Sequence, residues 1–136
     1  MILLFLITTL FPPFLMEQDI TRGVWFNEEK EAKIRFYEQD GKLYGKIVWL
    51  KEPKSQTMTD TNNPRPELRG RPLIGLVILK GFEKDGKNWK NGDIYDPKSG
   101  KTYSSTIKWA GENQLNIRGY IGVSLMGKTT TFTRAG

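Results

Sequence analysis

Several short stretches of this 136-residue chain have residue types spaced as catalytic or phosphate-binding groups are. Gly122 to Thr129, GVSLMGKT, has the glycine, four-residue gap and Gly-Lys-Thr ending of a P-loop. In such a loop, backbone N–H groups wrap phosphate while Lys and Thr serve the phosphates and magnesium. That chemistry needs a helix to start at the loop. Here Thr129-Thr130-Thr131-Phe132-Thr133 follows, a β-branched run that forms helix poorly, and only seven residues come after Thr129. The segment reads as a strand-to-strand turn, and no nucleotide is expected.

Ser105 and Lys108 have the S-x-x-K spacing of Ser-Lys hydrolases, which place both groups on one helix face. TYSSTIKW alternates as a strand does, and residues three apart on a strand point to opposite faces. Paired carboxylates could do glycosidase work without histidine, with Asp60 and Glu67 in one region and Asp93 and Asp96 in another as candidates. Asp96 precedes Pro97 and suits turn chemistry better. Asp60, Asn62 and Asn63 have part of the spacing of a calcium loop but lack its terminal bidentate Glu, so no metal site is expected. Aromatic residues beside basic ones (Arg35, Phe36 and Tyr37; Trp89 and Lys90; Lys108 and Trp109) could stack single-stranded bases. Any exposed strand face of this composition looks similar, and nucleic acid is not an expected partner.

Composition narrows the chemistry further. The chain has no His and no Cys, which removes imidazole bases, thiol nucleophiles, disulfides and zinc sites of the usual kind. No cofactor is implied. Lys and Arg total 21 against 15 Asp and Glu, a net charge of +6, which favours anionic partners or simply keeps the protein in solution.

Residues 1–18 form a signal-like segment, almost entirely apolar from Met1 to Met16. It is too short for a membrane span of about 20 residues. It has the apolar centre of an export signal, without a basic start or a small-x-small cleavage site. Export to the periplasm or medium is the expectation. An uncleaved anchor, or a cytoplasmic protein starting at Met16, are the alternatives.

Residues 19–136 read as one domain of short β-rich runs. Trp25-Phe26, Lys33–Tyr37, Leu43–Leu50, Ile74–Phe82, Gly92–Tyr95, Tyr103–Trp109, Leu115–Tyr120 and Thr129–Arg134 carry aromatic and β-branched residues. Turn signals separate them at Asp40-Gly41, Asp85-Gly86 and DPKSG, where Gly100 is placed for a positive-φ exit. Eight or nine strands with tight connections predict an all-β antiparallel meander, a barrel or sandwich. One connection, Lys51 to Pro72, is long, contains four prolines and is nearly free of apolar residues. Loops of that length in compact domains are functional or disordered. Asn63 is placed to cap a helical turn begun by Pro64 and closed by Gly70. Arg69 and Arg71, two apart, are the expected anion clamp, with Arg69 as an alternative strut for the loop.

IVWLKEP, DTNNPRPELRGRPLIGL, IYDPKSGKTYSS and LNIRGYIGVSLMGKTTTFTR resemble the DUF2147 family of uncharacterised bacterial exported proteins, over about Gly23 to Arg134. The resemblance implies an eight-stranded calycin-like or lipocalin-like barrel, an export signal and no established activity. Some members carry a Cys pair around the Asp40-Gly41 hairpin, where this chain has residues such as Gln39 and Tyr44. Calycins typically have Gly-x-Trp on the first strand and a late Arg covering the indole. Gly23, Trp25 and Arg134 match that arrangement.

A small barrel is filled with side chains or holds one ligand, and alternation along a strand does not separate the two. Tyr103, Ser105, Ile107 and Trp109 share one strand face; Leu115, Ile117 and Ile121 share another. Asn116, Arg118 and Tyr120 form a polar row that faces solvent or a pocket. The candidate ligand-binding residues are therefore Asp60, Asn63, Arg69, Arg71, Tyr95, Tyr103, Arg118 and Tyr120. The expected function is a non-enzymatic binding module for a small amphipathic or anionic ligand in the cell envelope, where contact with the envelope surface is a further possibility. A filled barrel acting through its surface and a carboxylate-dependent enzyme are the alternatives.

Overall fold

The computed structural model describes residues 18–120 and 127–136. The signal-like segment up to Glu17, Ile121 and the Gly122–Met126 part of the P-loop-like stretch lie outside the described residues.

Eight strands run in sequence order: β1 (Trp25–Phe26), β2 (Ala32–Gln39), β3 (Lys42–Leu50), β4 (Val77–Asp85), β5 (Asn88–Asp96), β6 (Lys101–Gly111), β7 (Gln114–Tyr120) and β8 (Gly127–Arg134). Each pairs antiparallel with the next, and β1 pairs with β8, closing the barrel. The expected meander is the observed one. The alternation read from sequence is literal on β2, where Ala32, Ile34 and Phe36 are buried while Lys33, Arg35 and Tyr37 point out. Leu115 and Ile117 on β7 are fully buried in the same way, and Ser105 and Ile107 on β6 join them inside.

Two strands begin three or more residues from where the sequence pattern places them. β4 starts at Val77 rather than Ile74. Gly75 has φ +93°, and residues 75 and 76 make an irregular exchange with Ile47, whose N–H donates to Leu76 O and whose carbonyl accepts from Gly75 N. β5 starts at Asn88, four residues before Gly92, because the Asp85-Gly86 turn is tight and Asp85 pairs directly with Asn88.

The interior is packed with large side chains. Trp25, Phe36 and Phe82 are among the fully buried residues. Trp25 meets Phe36 and Trp109 edge-on, with ring centroids 6.5 and 5.8 Å apart. The ring of Phe82 lies directly over Gly92, in the space a Cβ there would occupy. Glycine at 92 is thus a packing requirement, and Phe82 fills the middle of the barrel because of it.

The β1–β8 junction is short, since β1 has only two residues. Trp25 lies opposite Arg134 in the register, and the guanidinium carbon sits 4.2 Å from the indole centroid. Arg134 Nε donates to Asn113 Oδ1 at 2.8 Å, and Nη1 donates to the carbonyls of Asp19 and Arg22. The indole N–H donates to Ile20 O at 2.9 Å. Gly23, with φ +74°, lets the chain turn against the carbonyl of Gly136, which accepts from Val24 N at 3.1 Å. Gly23, Trp25 and Arg134 therefore meet at one end, as the calycin pattern implies.

Arg134→Ala is expected to destabilise the protein by about 1–2 kcal/mol, through lost stacking, packing and carbonyl contacts. In a double-mutant cycle with Trp25→Phe, measured by chemical denaturation, the coupling should be about 0.5–1 kcal/mol. A coupling of zero would show that the stack contributes nothing to closure.

Candidate functional site

The β3–β4 connection is ordered and lies against the outer wall of the barrel. Arg65 precedes Pro66, so it avoids the α region, and its φ −95° and ψ 113° keep the chain extended there. The short helical turn is accordingly a 3-10 turn over Pro66–Leu68, not one begun at Pro64. Asn63 does not cap it. Its Oδ1 accepts from Arg65 N at 2.8 Å, and its amide turns to Asp60.

Asp60 is the hub of the loop. Its side chain is fully buried. Oδ1 accepts the Tyr95 phenol at 2.6 Å, and Oδ2 accepts Asn63 Nδ2 at 2.8 Å and Arg71 Nη2 at 3.1 Å. Burial pushes the carboxyl pKa up, but the hydrogen bonds from Tyr95, Asn63 and Arg71 together outweigh it and hold the group below its ordinary value. Burial and the adjoining carboxylate push the Tyr95 phenol up to about 12. Tyr95 therefore stays a neutral donor.

Tyr95 reaches this hub from the outside of the sheet. On β5, Gly92 and Ile94 are opposite Ser105 and Tyr103, which belong to the inner face, so Tyr95 and Asp93 point outward. Tyr95 is nevertheless buried, because the loop covers it. A second latch holds the loop beside it: Asn62 Nδ2 donates to Pro97 O and Lys98 O, each at 3.1 Å. Gly100, at φ +74°, lies close against Asn62 O. The intervening turn is built by Asp96, whose Oδ1 accepts from Lys98 N and whose Oδ2 accepts from Ser99 Oγ. Asp96 is thus a turn residue, as its place before Pro97 suggests.

Arg69 and Arg71 do not form a joint clamp. Arg69 Nε donates to Asn63 O at 2.7 Å and Nη2 to Pro64 O, so Arg69 braces the loop from within. Arg71 stands alone between two clefts. One, of about 250 Å³, lies between the loop and the outer faces of β4–β6, with Leu68, Ile78, Asp93 and Tyr95 in its walls. The other, of about 520 Å³, lies on the opposite side, walled by Tyr37, Tyr44, Pro72, Ile74 and Leu76. Arg71 and Lys80 border both. Arg71 keeps unused donor capacity, since its Nε–H is buried without an acceptor and its side chain remains 36% exposed.

The other candidates lie elsewhere. Tyr103 faces the barrel interior beside Gly119 and Ile94. Arg118 and Tyr120 are on the outer face of β7. There the guanidinium lies 5.3 Å from the Tyr120 ring and donates to Thr129 Oγ1, while Tyr120 reaches Thr106. Glu67 pairs with Arg65 on the surface. Buried Ser105 and exposed Lys108 lie on opposite faces of β6, and Gly127-Lys128-Thr129 open a strand rather than a helix. Lys80 was not singled out by sequence. Its signal is there, however: a lone lysine in the apolar run IGLVILKGF marks an outward position next to Ile78.

A closed eight-stranded antiparallel barrel, clasped by an Arg on a Trp and carrying one strapped outer loop, defines a lipocalin-like protein. The chain belongs to the DUF2147 family, described as an uncharacterised protein conserved in bacteria, whose model matches residues 23–134. Among solved structures it is similar to protein HP1028 of Helicobacter pylori, described as belonging to the lipocalin family. The two are 29% identical with a TM-score of 0.76, over 87% of this chain and 84% of that one. No curated protein matches the chain.

Asp60→Asn is expected to cost about 2–4 kcal/mol, because it removes the charge that pairs with Arg71 and replaces one of the two accepting oxygens with an NH2 group that faces donors. The depressed Asp60 pKa favours the folded state above the unfolded carboxyl value of about 4 and ceases to do so as pH falls through the folded value. The raised Tyr95 pKa favours the folded state below pH 10.0 and ceases to do so as pH rises towards about 12. Denaturation across pH should show both limbs. Asp60→Asn should flatten the acid limb, and Tyr95→Phe the alkaline one.

Proposed function

We propose that this protein is a non-enzymatic binding module for a small amphipathic anion, and that Arg71 receives the anionic group. One observation carries the reading: a partly exposed arginine side chain, held at Nη2 by a fully buried carboxylate and with its Nε–H lacking an acceptor, stands between two clefts. A guanidinium anchored on one edge keeps a planar set of donors for a carboxylate, sulfonate or phosphate. Lys80 adds a second positive charge, and the larger cleft is within the size range of small-molecule sites. Its walls include the stacked pair Tyr37 and Tyr44, with ring centroids 5.6 Å apart, which suits an apolar or aromatic body behind the anionic head. The lipocalin-like fold supports a binding role in general, and the signal-like start supports a place in the cell envelope. An enzymatic reading has weaker support, because Asp60, Glu67 and Asp96 each have a structural partner, which leaves Asp93 in the smaller cleft without a second carboxylate to work with.

A second reading, a filled barrel acting through its surface, is favoured by one specific feature. Phe82 lies across Gly92 in the middle of the interior.

Anilinonaphthalene sulfonate, an aromatic anion that fluoresces when desolvated, is a suitable probe. Lys80→Gln, at an exposed position, should weaken its binding about tenfold without changing the melting temperature. Arg71→Lys should weaken it further. If neither change matters but Tyr103→Trp inside the barrel abolishes binding, the ligand enters the barrel and the Arg71 site is wrong.

A further inference from the structure

We infer that the outer face of β1–β3 is a docking surface for an anionic lipid bilayer. The inference rests on Phe26, Lys33, Arg35, Lys46 and Trp49, none of which lines the small-ligand clefts, although Tyr37 and Tyr44 border both regions.

The outward positions of β2 and β3 carry cations and aromatics and no carboxylate. Phe26 lies opposite Lys33, Lys33 opposite Trp49, Arg35 opposite Lys46, and Tyr37 opposite Tyr44. Phe26 and Trp49 meet edge-on at 6.2 Å. Lys33 Nζ sits 4.8 Å from the Trp49 ring centre and 5.3 Å from that of Phe26, and Lys30 Nζ lies 5.8 Å from the Phe26 ring centre. Lys46 Nζ lies 5.5 Å from the Tyr37 ring centre. The ion pairs among the described residues, Arg65–Glu67, Arg71–Asp60 and Lys98–Glu31, involve none of these cations. Arg35 and Lys46, directly opposed with like charge, repel in the isolated protein. Acidic side chains border the face without entering it: Glu28, Glu29 and Glu31 in the β1–β2 turn accept from Thr131 N, Asn27 Nδ2 and Lys98 Nζ, and Glu38, opposite Leu43, takes an inward register position at the end of β2. The face is therefore an array of positive charge that is incomplete without an anionic partner.

Two extended anionic partners fit such charge, a bilayer and a single-stranded nucleic acid, and the ring geometry favours the bilayer. Nucleic acid needs open aromatic faces on which bases stack. Here the faces are occupied: Tyr37 and Tyr44 stack on each other at 19° between planes, and ammonium groups cover Phe26, Trp49 and Tyr37. Tyr and Trp beside Lys, with ammonium heads riding on apolar rings, is the composition that settles at the headgroup level of a membrane.

The test is co-sedimentation of the full chain with vesicles of phosphatidylglycerol and phosphatidylcholine, against vesicles of phosphatidylcholine alone. Binding should be much stronger to the anionic vesicles and should fall steeply with added salt. Each neutralised cation should weaken binding about fivefold, so Lys33→Gln with Arg35→Gln and Lys46→Gln should weaken it roughly a hundredfold. Lys101→Gln with Lys108→Gln, on exposed positions of β6, should leave it unchanged. The single Lys33→Gln variant gives the same reading should the triple variant fail to fold. Equal binding to both vesicle types, from the apolar start of the chain alone, overturns the inference. So does an unchanged triple variant, or an oligothymidylate that binds this face more tightly than anionic vesicles at the same salt.

Discussion

Everything else in this molecule depends on how a two-residue strand closes the barrel. β1 offers too few backbone hydrogen bonds to hold a seam by itself. Closure is completed by Arg134, which lies over Trp25 and gathers the carbonyls of Asp19 and Arg22 under one guanidinium. Trp25 in turn supports Phe36 and Trp109. With the seam shut, β2–β5 have a fixed curvature, and their outer faces can carry both the strapped loop and the basic-aromatic stripe.

The loop shows how a long connection becomes part of a small domain. A buried carboxylate would be costly alone, but Asp60 has three donors, one of them charged. The hub draws Tyr95 from the sheet, Asn63 from the loop and Arg71 from the approach to β4 into one network. Positive charge is thereby brought close to apolar walls, an arrangement that neither the barrel nor the loop would produce separately.

Much of this was legible in the sequence. Period-two alternation in KIRFY and LNIRGY marks the inner faces, and Asp85-Gly86 and DPKSG mark the turns, because those signals are local. Gly-x-Trp with a late Arg marks closure, because that contact recurs in barrels of this shape. Asp60, Asn63, Tyr95 and Arg71 were all candidates, but their meeting was not foreseeable from spacing. Tyr95 lies 35 positions from Asp60 and reaches it only because the loop folds over the outer wall. Arg69 and Arg71 look equivalent in sequence and differ in structure, since Arg69 ends the Pro66–Leu68 turn and reaches back to the carbonyls of Asn63 and Pro64 while Arg71 lies beyond it and pairs with Asp60. Lys80 is hidden in the sequence because an apolar run that reads as core masks the outward half of its own alternation.

The double attachment of the loop, through Asp60 to Tyr95 and through Asn62 to the Asp96 turn, bears on the manner of any recognition at Arg71. A segment already fixed at two points has little freedom left to lose, so an incoming anion meets donors in their final positions. Association then proceeds without a slow closing step, and the bound and free backbones are the same. Heat capacity should change only by the apolar surface the ligand covers, with no contribution from ordering of the chain.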